Sequence, residues 1–188
     1  MKSHAQAPGP ALERFRDYLS LLTRLHMDHR LKGKIDLSGV VQQTLLDTYK
    51  VFDRFQYLPP DEQAAWLRRV LANNLKDEVR KLGAAVRNVN REISLEAALE
   101  NSSVHLDGWL AQEMSTTSQQ AMRSEELLQL ARALTQLPED QRRAVELRHL
   151  SGMPVAEVSV HMNRSPGAVG ALLVRGLKKL RRLMQEPE

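Results

Sequence analysis

The stretch PVAEVSVHMNRSPGAVGALLVRGLKKLRRLM, residues 154–184, decides the fold. Val155, Val158 and Met162 stand at three- and four-residue steps, which predicts a short amphipathic helix over 155–162. Asn163 follows where a tight turn needs a left-handed backbone, a conformation Asn tolerates better than most residues. Ser165 and Pro166 then mark a helix start: a hydroxyl to cap it, and a Pro at the first helical position, where its missing N–H costs nothing. Val169, Leu172, Leu173, Leu177 and Leu180 form the inward face of this second helix, while Arg175, Lys178, Lys179, Arg181 and Arg182 cover the outer side. Short helix, three-residue turn and capped second helix make a helix-turn-helix. Cations in these positions suit phosphate contacts with a duplex. A helical hairpin kept soluble by its charge is the plainer alternative.

Working upstream, Leu127, Leu130, Ala131, Leu134 and Leu137 predict a helix that Pro138 ends. Another runs from about Glu139 to Leu150, burying Ala144, Leu147 and Leu150, before Ser151-Gly152 turns the chain. Residues 123–186 thus read as a C-terminal helix-turn-helix domain.

The N-terminal part, residues 11–91, reads as a second helical domain. Leu12, Phe15, Leu19, Leu22 and Leu25 predict one helix over 11–31; Val41, Leu45, Thr48 and Phe52 predict another from about Ser38 to Phe55. Pro59-Pro60 stops that segment, and Asp61 is the expected cap of a third helix reaching about Leu82. This third helix carries an apolar stripe of Leu67, Leu71, Leu75, Val79 and Leu82. Trp66, Arg69, Asn73, Asp77 and Arg80 share another face. An indole to stack, amides for base edges and guanidiniums for phosphate suit opened or single-stranded DNA. An ordinary solvated face with Trp66 tucked into the core is the competing reading.

Composition agrees. The chain of 188 residues is 42% apolar and 27% charged, but only 4% aromatic, with nine Gly and eight Pro, which disfavours short strands and Gly-rich turns. The fold class is all-α: two small helical domains joined by a flexible linker. The net charge of +4 is unevenly placed, because residues 92–122 hold five acidic side chains and no Lys or Arg. That stretch, polar and without periodicity at Asn101-Ser102-Ser103 and Ser115-Thr116-Thr117-Ser118, reads as the linker, with a short helix around Leu95–Leu99. Two basic blocks and an acidic connector fit two lobes that meet a polyanion.

Zero Cys excludes disulfides, thiolate nucleophiles and cysteine-ligated metal sites. No apolar run reaches the length of a membrane span, and Pro8-Gly9-Pro10 interrupts the start where an export signal would need an apolar core, so a cytoplasmic protein without membrane contact is expected. His26 and His29 lack further ligands to complete a metal site. The chain contains no phosphate-cradling loop, HExxH or GxSxG. Neither an enzyme nor a cofactor is expected.

Two stretches taken together resemble a bacterial RNA polymerase sigma factor of the extracytoplasmic-function (ECF) group, in the sigma-70 superfamily. They are SGVVQQTLLDTYKVFDRF with AWLRRVLANNLKDEVRKL (residues 38–55 and 65–82), and LPEDQRRAVELRHLSGM (137–153) leading into the helix-turn-helix. The resemblance implies that Val41, Gln42, Gln43, Thr44 and Leu45 dock on core polymerase. It implies that Trp66, Arg69, Asn73, Asn74, Asp77, Arg80 and Lys81 capture the non-template strand of the minus-ten element. Arg164, Ser165, Gly167, Ala168, Gly170, Ala171, Arg175, Lys178 and Lys179 would engage the minus-35 element as duplex. Core RNA polymerase and promoter DNA are the implied partners, an anti-sigma factor is a further candidate, and the free chain is expected to be a monomer. Trapping an unstacked base offsets the few kcal/mol of opening, so melting needs no ATP and no catalytic residue.

The chain departs from the family pattern where Gly39 replaces an Asp, Gln43 an acidic residue and Asn163 a turn Gly. Gly170, Ala171 and Leu172 stand where more polar residues are common, which shifts weight from base readout toward backbone approach at Gly167 and Ala168 and phosphate contacts from Arg164 and Arg175. Two other classes remain: a dimeric helix-turn-helix regulator acting without polymerase, and a helical adaptor that binds no DNA.

Overall fold

The computed structural model describes residues 8–26, 34–81 and 120–185. His29, Leu82, the Leu95–Leu99 helix and the linker up to residue 119 lie outside them. The architecture is all-α. Helices α1 (Pro8–Glu13), α2 (Arg16–His26), α3 (Leu37–Tyr49), α4 (Phe52–Phe55) and α5 (Pro60–Lys81) build the first lobe. Helices α6 (Gln120–Thr135), α7 (Glu139–Val145), α8 (Val155–Met162) and α9 (Pro166–Gln185) build the second.

Two expected helices are each divided. The helix expected over 11–31 breaks between α1 and α2, where the Phe15 N–H donates to Leu12 O at 3.0 Å in a tighter turn. The break lets both Leu12 and Phe15 turn inward, and Phe15 meets Phe55 edge to face at 5.9 Å between centroids. The helix expected from Ser38 to Phe55 likewise stops at Tyr49, and Val51 leaves helical geometry (φ −119°, ψ 21°) so that Phe52 and Phe55 can both reach the core. Asp61 is not a cap; it lies in the first turn of α5, where its charge favours the positive end of the helix dipole.

α5 is held by its apolar stripe. Leu67, Leu71, Ala72 and Leu75 are buried against α2 and α3, each Leu contributing about 1.5–3 kcal/mol. Arg68 Nη1 donates to the Tyr18 hydroxyl at 3.1 Å and fixes α5 against α2. On α3, the Asp36 carboxylate accepts from the Gly39 N–H at 3.0 Å as a true N-cap. The buried Thr44 and Thr48 hydroxyls donate to the carbonyls of Val40 and Thr44.

In the second lobe α7 runs on into a π-helical turn (Glu146–Leu150), in which the Ser151 N–H reaches Glu146 O at 2.9 Å. α9 crosses α7 closely: a Cβ at Gly176 would come within 3.1 Å of Val145 Cγ2 and 3.4 Å of Gln141. α6 packs on α2 and α5, so the two lobes share one buried apolar cluster. Arg24 on α2 places Nη2 2.8 Å and Nε 3.1 Å from Oε1 of the buried Glu146, an ion pair spanning the two lobes.

Candidate nucleic-acid interface

The helix-turn-helix forms from the local signals in its sequence. Asn163 takes the left-handed conformation (φ 50°, ψ 50°) that closes α8. The Ser165 hydroxyl then accepts from the Ala168 N–H at 3.3 Å, capping α9 at Pro166. Val158, Val169, Leu172, Leu173 and Leu180 are buried beneath it. The opposite side of α9 is left open: Gly167, Ala171, Val174, Arg175, Lys178, Arg181 and Arg182 are exposed, with Ala168 and Gly170 half-buried.

Two of the expected phosphate-contacting cations are engaged within the lobe. Arg164 pairs with Asp140 at the start of α7. Lys179 Nζ donates to Gln136 O at 2.9 Å, bracing the helix against the α6–α7 turn. Arg175 and Lys178 project from the open face.

On α5, Arg69, Asn73, Asp77 and Arg80 are exposed along one face. Asp77 and Arg80 are 3.4 Å apart as an exposed i,i+3 pair. Lys81 is exposed and pairs with Glu78 at 2.6 Å.

Trp66 does not join that face as an open stacking surface: it is half-buried against the core, with its indole Nε1 hidden and no partner among the described residues. Asn74 also differs from expectation. It is half-buried and its Nδ2 donates to Thr44 Oγ1 at 3.2 Å and Asp47 Oδ2 at 3.3 Å, tying α5 to α3. Bonds from Lys50, Asn74 and Gln43 hold the Asp47 carboxyl below its ordinary pKa. Gln43, Asp47 and Asn74 line a cleft of about 710 Å³ between α3 and α5 with Asp36, Asp77 and Lys81.

Helical periodicity does not single out Tyr57. It sits in the loop before α5 and is 82% exposed. The one clue is an aromatic residue two positions before Pro59-Pro60, outside any helical stripe.

The five residues expected to dock on polymerase divide in the structure. Val41, Thr44 and Leu45 face the lobe's own core, because α3 buries that phase against α2 and α5. Gln42 and Gln43 face outward; Gln42 Oε1 accepts from Arg16 Nη2 at 2.9 Å, and Gln43 Nε2 donates to Asp47 Oδ1 at 2.9 Å. Leu46 and Tyr49 are large apolar residues exposed on α3. The Asp36 carboxylate leans over Gly39, 2.6 Å from where a Cβ would stand. Among the described residues, no cluster of three potential metal ligands occurs and no helix is long and apolar enough to cross a membrane.

Residues 127–180 match the family described as Sigma-70, region 4. Over 141 residues the chain is 28% identical to the ECF RNA polymerase sigma-E factors of Salmonella typhimurium (strain LT2), Escherichia coli (strain K12) and Shigella flexneri, covering 74% of this chain and 69% of each relative. The solved structure of the RsbN–BldN complex aligns over 96% of this chain and 93% of that one, at 19% identity and a TM-score of 0.34.

Proposed function

We infer that this chain is an RNA polymerase sigma factor of the ECF group in the sigma-70 superfamily, directing core polymerase to promoters and assisting their opening. The observation that carries the reading is the pairing of two faces in fixed order. A polar, exposed α5 face lies in one lobe, and a region-4 helix-turn-helix with exposed cations follows in the other. A regulator whose first lobe only senses or dimerises has no use for the α5 face.

The roles follow from chemistry. Arg175 and Lys178 hold phosphates of the upstream duplex, and α9 lies in its major groove. Arg69, Asn73, Asp77 and Arg80 meet the non-template strand of the minus-ten element, where amides and guanidiniums can bind exposed base edges and phosphates. Tyr57, rather than Trp66, is the stacking platform, because its ring is open to an unpaired base while Trp66 is half-buried. Asn74 braces the lobe. Gln42, Gln43, Leu46 and Tyr49 form the polymerase-docking face of α3, where two apolar side chains framed by amides suit a helix-on-helix contact. The protein performs no covalent chemistry and works in the cytoplasm, where its polymerase partner is found.

Size-exclusion chromatography of the chain alone and mixed with bacterial core RNA polymerase tests this. The expected result is a monomer that joins core in a one-to-one complex and confers promoter-dependent transcription. A stable dimer that binds duplex and ignores core would replace this reading with that of a helix-turn-helix regulator.

A further inference from the structure

We propose that Val174 and Ala171 read the 5-methyl groups of thymines in the major groove, so that this protein recognises its upstream element without side-chain hydrogen bonds to base edges. The proposal rests on the sigma-factor reading above and assigns its specificity to particular atoms.

From Pro166 to Val174, the outward positions of α9 are Gly167, Ala168, Gly170, Ala171 and Val174, and none has a side chain that can donate or accept a hydrogen bond. The nearest hydroxyl, on Ser165, stands before the helix and accepts from the Ala168 N–H as its cap. The fold does not demand these residues. A Cβ at Gly167 or Gly170 would meet nothing within 4 Å, although Gly inside a helix lowers its stability relative to Ala. Val174 is 69% exposed, and a β-branched residue on an open helix face has neither packing nor propensity in its favour.

Further along the same face, Val174 and Leu177 line a depression of about 500 Å³ together with Lys178, Arg181, Arg182 and Gln185. An apolar strip bordered by cations needs a partner with anionic rails and apolar groups between them. The major groove supplies this: phosphates on either side and the thymine methyl as the one apolar feature of the base-pair edges. The bare glycines let the helix backbone sit close, which brings short side chains such as Ala171 and Val174 to the floor of the groove.

The experiment uses the full chain assembled with core RNA polymerase. Duplexes randomised across the upstream element are selected for binding, and the selected duplexes are remade with uracil in place of each thymine, a change that removes only the methyl group. Thymines should be enriched, and each contacted thymine replaced by uracil should weaken binding about threefold to fourfold. Val174→Ser, on an exposed position that the fold tolerates, should bring the thymine-to-uracil ratio near one at a single position while leaving the salt dependence unchanged. Selective binding indifferent to uracil, enrichment without thymines, or a Val174→Ser protein that keeps every uracil penalty would overturn the proposal and leave the sigma-factor reading standing. A chain that forms no complex with core would overturn the reading itself.

Discussion

Helices α5 and α9 each leave one face uncovered, and the two faces have opposite chemistry. On α5 the exposed positions carry amide, carboxylate and guanidinium groups at Arg69, Asn73, Asp77 and Arg80. On α9 the first half of the open face carries no hydrogen-bonding side chain, and the cations begin only at Arg175. A duplex hides most of its hydrogen-bonding edges and displays its phosphates, whereas an opened strand displays edges and ring faces. On the proposed sigma-factor reading, the contrast suits the two faces to two states of the same DNA, closed upstream and open downstream.

The largest effect should come from removing the electrostatic half of the contrast. Arg175→Glu with Lys178→Glu should weaken duplex binding by the assembled polymerase about a hundredfold and lower the salt slope by about two. Fluorescence anisotropy across a salt series measures both. Unchanged affinity would place α9 outside the interface.

The next test separates glycines that pack from those that face outward. Gly176→Val should destabilise the protein by about 2 kcal/mol, since Val145 and the Gln141 backbone already crowd that Cβ position. Gly170→Ala should stabilise it by about 0.5–1 kcal/mol, because nothing lies near and Ala favours the helix. Urea denaturation of the two variants reads the sign directly. Two losses of equal size would mean that Gly170 also serves the fold.

A smaller effect is expected at the stacking position. Tyr57→Ala should reduce promoter opening about tenfold with little change in duplex binding, from the loss of one base–aromatic stack. Trp66→Phe, which keeps an aromatic ring in the half-buried site but shrinks it and removes the hidden N–H, should leave opening near the wild-type level. The reverse ranking would return the stacking role to Trp66.

The smallest effect concerns the clasp between lobes rather than either face. His26 ends α2 two residues after Arg24, and its Nε2 is buried without a partner among the described residues. Burial lowers its pKa from 6.5 to about 4. The folded protein therefore binds that proton less readily than the unfolded chain. His26 disfavours folding least above pH 6.5, and stability declines as pH falls from there toward 4. The loss at pH 6 should be on the order of 1 kcal/mol, and His26→Gln should remove this part of the pH dependence in urea titrations.

Legibility followed the range of the signal. The helix-turn-helix was readable because Asn163, Ser165 and Pro166 act on their immediate neighbours, and the structure closes and caps the helices at those residues. The breaks at Phe15 and Val51 were not readable, because neither Gly nor Pro marks them. They exist so that Phe15, Phe52 and Phe55 can meet in the core. Helical spacing showed that α3 and α5 each have an apolar stripe, but not how wide it is. α3 buries Val41, Thr44 and Leu45 against its neighbours, while Trp66 and Asn74 flank the α5 stripe and are drawn partly inward. The Arg24–Glu146 pair joins residues 122 apart, beyond the reach of any local pattern.

The division of labour between the faces can be tested in one measurement: permanganate reactivity of minus-ten thymines, recorded alongside duplex affinity, for Asn73→Ala and Lys178→Glu assembled with core polymerase. The account predicts that Asn73→Ala binds the closed promoter normally but opens it poorly. Lys178→Glu should bind the closed promoter poorly yet hold a pre-opened template as well as the wild type. If both variants lost closed binding and opening in equal measure, the two faces would not serve two states of DNA, and the account would be contradicted.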